Sequence, residues 1–425
     1  MEFMTKKNRR QFVKGLTFSY LSLIVSPYII GLDSRIFAST TDSNNKDIHK
    51  SPKAIGSADL GPLNAPDKNG VMLPDGLEAR LIAKSGKELN HGYFWHGSPD
   101  GAGVFSSEDG GWVYVSNSEL PDSQGGVGAL KFNKNGKLID AYSLLTGSER
   151  NCSGGTTPWG TWLSGEEYSR GLIWEVSPKR GDTNYPKKRP ELGVFIHEAA
   201  VVDPENNYIY MTNDEPAGLF YRFIPGGEPR TESFYSRGNL QAAKVEKNNI
   251  VSWINVPDPY AKDSPIIGQL PEATSFERGE GMTFFEGNVF FATTKDHRVW
   301  LYNTKNNELS LFYDGLRSKE KITAIDWLKS WKKDTKNKIL NDPDDMTVTK
   351  DGQILVAEDS DNMELCLLGK DGSARPLLRL DGHWFSEVTG PAFSPDGSYL
   401  YFSSQRGISG SRLKGGMTFE VRRKV

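Results

Sequence analysis

Cysteine is almost absent from this chain, with two residues in 425, Cys152 and Cys366. A disulfide framework is therefore excluded, and at most one bridge is possible. A surplus of positive charge is missing as well: 51 Lys and Arg stand against 54 Asp and Glu, a net charge of −3. With no basic stripe to neutralise phosphates, nucleic acid is excluded as a partner. Long apolar runs are scarce, and the main candidate, residues 15–31, is interrupted by serines and by Pro27. Helical periodicity is scarce too, whereas 44 glycines and 23 prolines mark a turn-rich chain. An apolar content of 37% with 11% aromatics still suffices for a sizeable core.

The N-terminus reads as a targeting segment. Residues 8–14 (NRRQFVK) form a twin-arginine pattern, the apolar run follows, and Ala38 offers a cleavage point. An ordinary secretory signal or a retained anchor is the other reading, but the arginine pair and the interrupted run favour twin-arginine export. Residues 1–38 are therefore expected to be removed, which makes the export machinery a partner and the location periplasmic or secreted. The remaining chain would carry net charge −7, since the segment holds six Lys and Arg and two Asp and Glu. Residues 39–60 are polar and read as a flexible leader.

From there a pattern recurs six times: an apolar strand ends in a polar or acidic cluster, and a second apolar strand follows. The first members are 111–119 (GWVYVSNSE), 161–167 (TWLSGEE), 208–215 (YIYMTNDE), 289–296 (VFFATTKD), 354–359 (ILVAED) and 399–405 (YLYFSSQ). Their successors are 129–132, 172–176, 219–223, 299–302, 365–368 and 418–421. The strands are rich in β-branched and aromatic residues with Gly, Asp and Asn turns between them. Six such repeats close best as an all-β, six-bladed β-propeller over residues 61–425, because a flat array would expose long edges. Two insertions break the rhythm. Residues 226–275 look irregular, and residues 318–338 carry Ile322, Ile325, Leu328 and Trp331 at helical spacing with a lysine-rich face.

Residues able to bind a metal recur in phase with the repeats. Just before each expected innermost strand stand Cys152, Glu198, Glu280, Asp344 or Asp345, and Glu387. A second cluster follows at Glu166/Glu167, Asp214/Glu215, Asp296 and Glu358/Asp359. Singly, each acid is as well read as a turn residue or a solvated strand end. Around one axis, however, so many carboxylates cannot all ionise without cations. Oxygen ligands in this number suit Ca²⁺, and a single thiolate suits a softer metal such as iron. Arg278, two residues before Glu280, is placed either to clamp an anionic substrate group or to pair with a neighbouring acid. His197 points away from the axis by alternation and reads as structural. Cys366 sits in an apolar strand and reads as core, leaving Cys152 free.

Five segments carry a family resemblance: 151–167 (NCSGGTTPWGTWLSGEE), 197–223, 277–294, 342–359 and 387–404. In order and composition the series resembles the motifs of PhoX-type alkaline phosphatases, across about residues 70–407. The resemblance implies a six-bladed propeller, twin-arginine export, an iron–calcium (Fe³⁺, Ca²⁺) cluster and hydrolysis of small phosphate monoesters. It makes Cys152 the thiolate ligand, and Glu167, Glu198, Glu280, Asp345, Glu358 and Glu387 the cluster carboxylates. Arg278 would bind the substrate phosphate, with Glu280 beside it in the catalytic site. Asn117 and Glu119 match an Asn-x-Glu element less closely. The third motif departs from the usual pattern, which leaves Asp214 and Glu215 as alternatives, and Asp344 stays open beside Asp345 at its own repeat position.

Two other functions compete. A calcium-dependent lactonase or esterase of the six-bladed class needs no thiolate. A calcium-stabilised, non-catalytic binding propeller would leave the channel mouth open. No segment marks an oligomer interface, so a monomer is expected.

Overall fold

The second strand of each repeat is the most apolar stretch, and in the computed structural model these strands are buried on both faces. Trp112–Ser118, Trp162–Glu166, Ile209–Asn213 and Ile354–Glu358 are buried along their whole length. A strand covered on both sides reads as a nearly continuous apolar run rather than an alternation. The structure describes residues 53–90, 92–315, 340–359, 362–370 and 372–424. The signal segment and the lysine-rich 318–338 stretch lie outside them.

Six antiparallel sheets form the blades of a β-propeller. Their innermost strands, for blades 1 to 6, are Pro99–Ser106, Asn151–Thr156, His197–Val202, Gly279–Phe285, Pro343–Val348 and Val388–Phe393. Each inner strand packs against the next, and blade 6 packs against blade 1, so the ring is closed. An N-terminal strand performs the closure: Leu77–Lys84 pairs antiparallel with Met417–Arg423 and completes blade 6. A second short strand, Val71–Met72, adds to the rim of blade 5.

The core is six apolar wedges, one at each blade interface. Tyr210, Phe220 and Phe291 fill one wedge, and Trp112, Phe132 and Tyr401 another. Each such side chain contributes roughly 1.5–3 kcal/mol by burial, so the blades are held mainly by these wedges. The turns between first and second strands carry left-handed residues where the sequence has Asn or Gly: Asn207 (φ 61°), Gly287 (78°), Gly352 (80°) and Gly397 (77°).

Two expectations change. The flexible leader does not extend to residue 60: Ile55 is buried, and Asp59 pairs with Arg423 at 2.6 Å. Polar composition hid one apolar anchor and one ion pair. The 226–275 insertion is not wholly irregular, because Asn239–Val245 and Val251–Asn255 form the fourth and fifth strands of blade 3. Their Ala and Lys content gives a weak period-2 signal.

Candidate metal centre

Each inner strand opens with a β-bulge. Against a single partner residue stand Asp100–Gly101, Cys152–Ser153, Glu198–Ala199, Glu280–Gly281 and Asp344–Asp345. A bulge bends the strand and re-aims its side chains. Residues just ahead of it are left-handed in four blades: Ser98 (φ 41°), Arg150 (45°), Arg278 (56°) and Asp342 (40°). Non-glycine residues in this region are uncommon and concentrate at functional sites. The repeated kink sets Asp100, Cys152, Glu198, Glu280 and Asp344 at equivalent positions of five inner strands, the ring positions below.

A second ring comes from the residue after each second strand. Glu119, Glu167, Thr294, Asp359 and Gln405 donate their N–H groups to the carbonyls of Ser98, Arg150, Arg278, Asp342 and Glu387. Asp214 holds the matching place in blade 3 by register.

Ligand-capable atoms within 4.8 Å of one another form three groups: Cys152, Glu167 and Glu198; Asp100, Glu119 and Glu387; Glu198, Glu280 and Asp344. Burial, then neighbouring carboxylates, raise the proton affinity of Asp100, Glu198, Glu280, Asp344 and Glu387. Glu167 is pushed up to about 8 by burial and by Glu119 and Asp214. The Cys152 thiol is likewise pushed up, by burial first and then by Asp100 and Glu198. That is the reverse of an activated nucleophilic cysteine, whose pKa is depressed. Glu198 Oε1 is buried with no hydrogen-bond partner. Side chains that repel one another's charge and leave a buried oxygen unsatisfied fit cations as their counterpart.

Several residues fall elsewhere than the sequence suggests. Asp100 is a ring residue that the sequence reading lacks, although Pro99-Asp100 matches Pro343-Asp344 of blade 5. Asp344, not Asp345, is in the ring; Asp345 accepts from Ser153 Oγ at 2.5 Å and from the Gly390 N–H at 2.8 Å, tying blades 5, 2 and 6 together. Glu358 lies outside the three groups, and its Oε1 accepts the Asn341 N–H at 2.9 Å. Glu166 does the same in blade 2, taking the Glu149 N–H at 2.9 Å, so strand alternation leaves Asp359 as the mouth-facing partner. Glu387 is in a group, but three residues before the ring position, which in blade 6 is Gly390 (φ 58°). Asn117 is a clip: its Nδ2 donates to the carbonyls of Cys152 (3.0 Å) and Ser153 (2.9 Å), and its Oδ1 accepts from Trp162 and Ser164. Asp296 turns outward to Arg298 at 3.0 Å. His197 is fully buried, bonded through Nε2 to the Gly193 carbonyl at 3.0 Å, as a structural histidine would be.

Arg278 takes up the second of the two sequence alternatives, pairing with neighbouring acids. Its Nε and Nη2 donate to the two Asp214 oxygens at 2.7 Å each, and Nη2 lies 3.4 Å from Glu280. Asp214, not Glu215, therefore faces the mouth; Glu215 accepts from Asn213 Nδ2 at 3.0 Å. Glu280 is steadied by Thr294 Oγ1 at 2.6 Å.

The raised carboxylate pKa values set a sign. A group whose folded pKa lies above its unfolded value stabilises fully below the unfolded pKa, and the contribution is lost as pH rises through the folded pKa. For Glu167 that window runs from about 4.3 to about 8, and Asp100, Glu198, Glu280, Asp344 and Glu387 act in the same direction. Chelator-stripped protein should therefore lose melting temperature as pH rises from about 5 to about 8. Added Ca²⁺ should restore more of it at the upper end. A stripped protein whose melting temperature is flat or rising over that range would contradict the crowding of these acids.

Comparison with known proteins adds to the geometry. A family model described as alkaline phosphatase PhoX matches residues 124–174 and 168–407. Among solved structures, Pseudomonas fluorescens PhoX in complex with vanadate, a transition state analogue, matches with TM-score 0.69 at 16% identity. That match covers 88% of this chain and 98% of the other. XC5397 from Xanthomonas campestris, a gluconolactonase, matches with TM-score 0.47 at 12% identity, covering 86% and 98%. No curated protein sequence matches the chain. The structural likeness is one of fold, while the sequence match to the family model spans more than half of the chain. On that ground the chain belongs to the PhoX family of alkaline phosphatases.

Proposed function

We propose that the protein is an exported phosphomonoesterase acting at a mixed iron–calcium cluster in the channel mouth. The observation that carries the reading is one thiol, Cys152, meeting Glu167 and Glu198 beside two groups made only of carboxylates. A soft ligand among hard ones suits one transition metal with Ca²⁺ neighbours. Cys152, Glu167 and Glu198 would hold the first, and Asp100, Glu119, Glu280, Asp344 and Glu387 the others. Such cations, when bound, supply charge neutralisation at the phosphoryl oxygens and lower the pKa of water.

The chain's own residues do the rest. Arg278 Nη1 makes no hydrogen bond among the described residues, which leaves a donor for a phosphoryl oxygen while Asp214 holds the guanidinium in orientation. Thr294 fixes one Glu280 oxygen, and Asn117 fixes the backbone that carries Cys152. The twin-arginine pattern at residues 8–14 supports export of a protein already folded around its metals, to the periplasm or beyond.

The test is elemental analysis of protein exported through its own signal and purified without chelator, followed by an aryl phosphate assay. Iron with more than one calcium per chain, and hydrolysis of the ester, are expected. Calcium alone with no hydrolysis would overturn the proposal and leave a lactonase or a binding propeller.

A further inference from the structure

Blade repetition places a second arginine where Arg278 stands. Arg150 in blade 2 and Arg278 in blade 4 each lie two residues ahead of a ring side chain, Cys152 and Glu280. Both are left-handed, at φ 45° and 56°. Both carbonyls accept the N–H of a second-ring residue, from Glu167 at 2.8 Å and from Thr294 at 3.0 Å.

Their partners differ. Arg278 is clamped by Asp214, whereas among the described residues the Arg150 guanidinium makes no hydrogen bond, its Nε lying 3.8 Å from Glu149. The Glu149 oxygens are already engaged by the N–H groups of Asp122 and Ser123, at 3.0 and 2.9 Å. The Arg150 side chain is 38% exposed. Arg412, 45% exposed, stands 4.0 Å from Glu119. Arg406 joins them: it bonds Glu387 at 2.7 Å, while its buried Nε has no partner. The Arg150 N–H donates to the Leu120 carbonyl at 2.9 Å, which sets Arg150 next to the Glu119 that Arg412 faces.

We propose that Arg150 and Arg412, with Arg406 behind them, form a second anion subsite that takes a further anionic group of the substrate. The favoured class is then a phosphomonoester whose alcohol portion carries a carboxylate or a second phosphate, held by Arg150 while Arg278 holds the reacting phosphoryl group. Planar guanidinium donors suit either anion. The substrate class rests on the phosphatase reading; the anion subsite itself does not.

The test compares kcat/KM for glycerate 3-phosphate and phenyl phosphate in the wild type, Arg150→Gln and Arg412→Gln. The ratio of the first to the second should fall about tenfold in Arg150→Gln, the loss expected for one charge-assisted hydrogen bond. Arg150→Lys should recover part of it. An unchanged ratio, with both esters affected alike, would reduce Arg150 to a counter-charge for the acids and overturn the subsite. If the wild type hydrolyses neither ester, the phosphatase reading fails separately. Calorimetric titration of imidodiphosphate then decides the subsite: weaker binding by Arg150→Gln supports it, and equal binding overturns it.

Discussion

Cys152→Ala should remove the bound transition metal and the phosphatase activity together. Asn117 holds the backbone carbonyls of Cys152 and Ser153 through its own side chain, so the bulge survives loss of the sulfur. What disappears is the single soft ligand beside Glu167 and Glu198. Loss of groups that merely orient ligands costs about 10–100-fold in metal affinity, and loss of the ligand itself should exceed that. Iron content by elemental analysis and turnover of an aryl phosphate are the paired measurements. Cys366→Ala is the control, because Cys366 packs in the wedge between blades 4 and 5 and should lose neither. Iron and activity both retained in Cys152→Ala would sink the metal assignment.

The second large effect is at Arg278. Truncation to alanine should lower kcat/KM for an aryl phosphate by roughly 10²–10³, the usual cost of removing a donor aimed at developing charge. Metal content should be unchanged, which separates this variant from Cys152→Ala. Lysine should not restore the rate, since its ammonium lacks the planar fork that bonds the two Asp214 oxygens through Nε and Nη2 and aims Nη1 away from them. Near-normal turnover in the alanine variant would mean that Arg278 serves only as the partner of Asp214, whose two oxygens it already bonds.

The site was partly legible before any coordinates. Cys152, Glu167, Glu198, Glu280 and Glu387 are brought into the three ligand groups, and phase-locked recurrence was the signal that selected them. Asp100 carries the same signal in blade 1 but precedes a Gly-Ala-Gly strand whose apolar pattern is weak. Adjacent acids are hard to tell apart in the sequence because the bulge puts two residues against one, so simple alternation does not say which faces the axis. Asp345 accepts from Ser153 and Gly390 and Glu358 accepts from the Asn341 N–H, while Asp344 stands in a ligand group. Arg150 drew no attention at all, since nothing local distinguishes it from a surface arginine.

Blade number, strand positions and turn sites were written locally: apolar strands have a short period, and Asn or Gly marks the left-handed turns at 207, 287, 352 and 397. Those features depend on a few neighbouring residues and need no knowledge of the fold. Ring membership, the Arg278–Asp214 clamp across 64 residues, and closure of the first strand on the last are contacts between distant segments. They exist only once the six wedges close the circle and set the equivalent bulges facing one axis. Folding brings the acids together, and their mutual repulsion across that axis is what calls for cations.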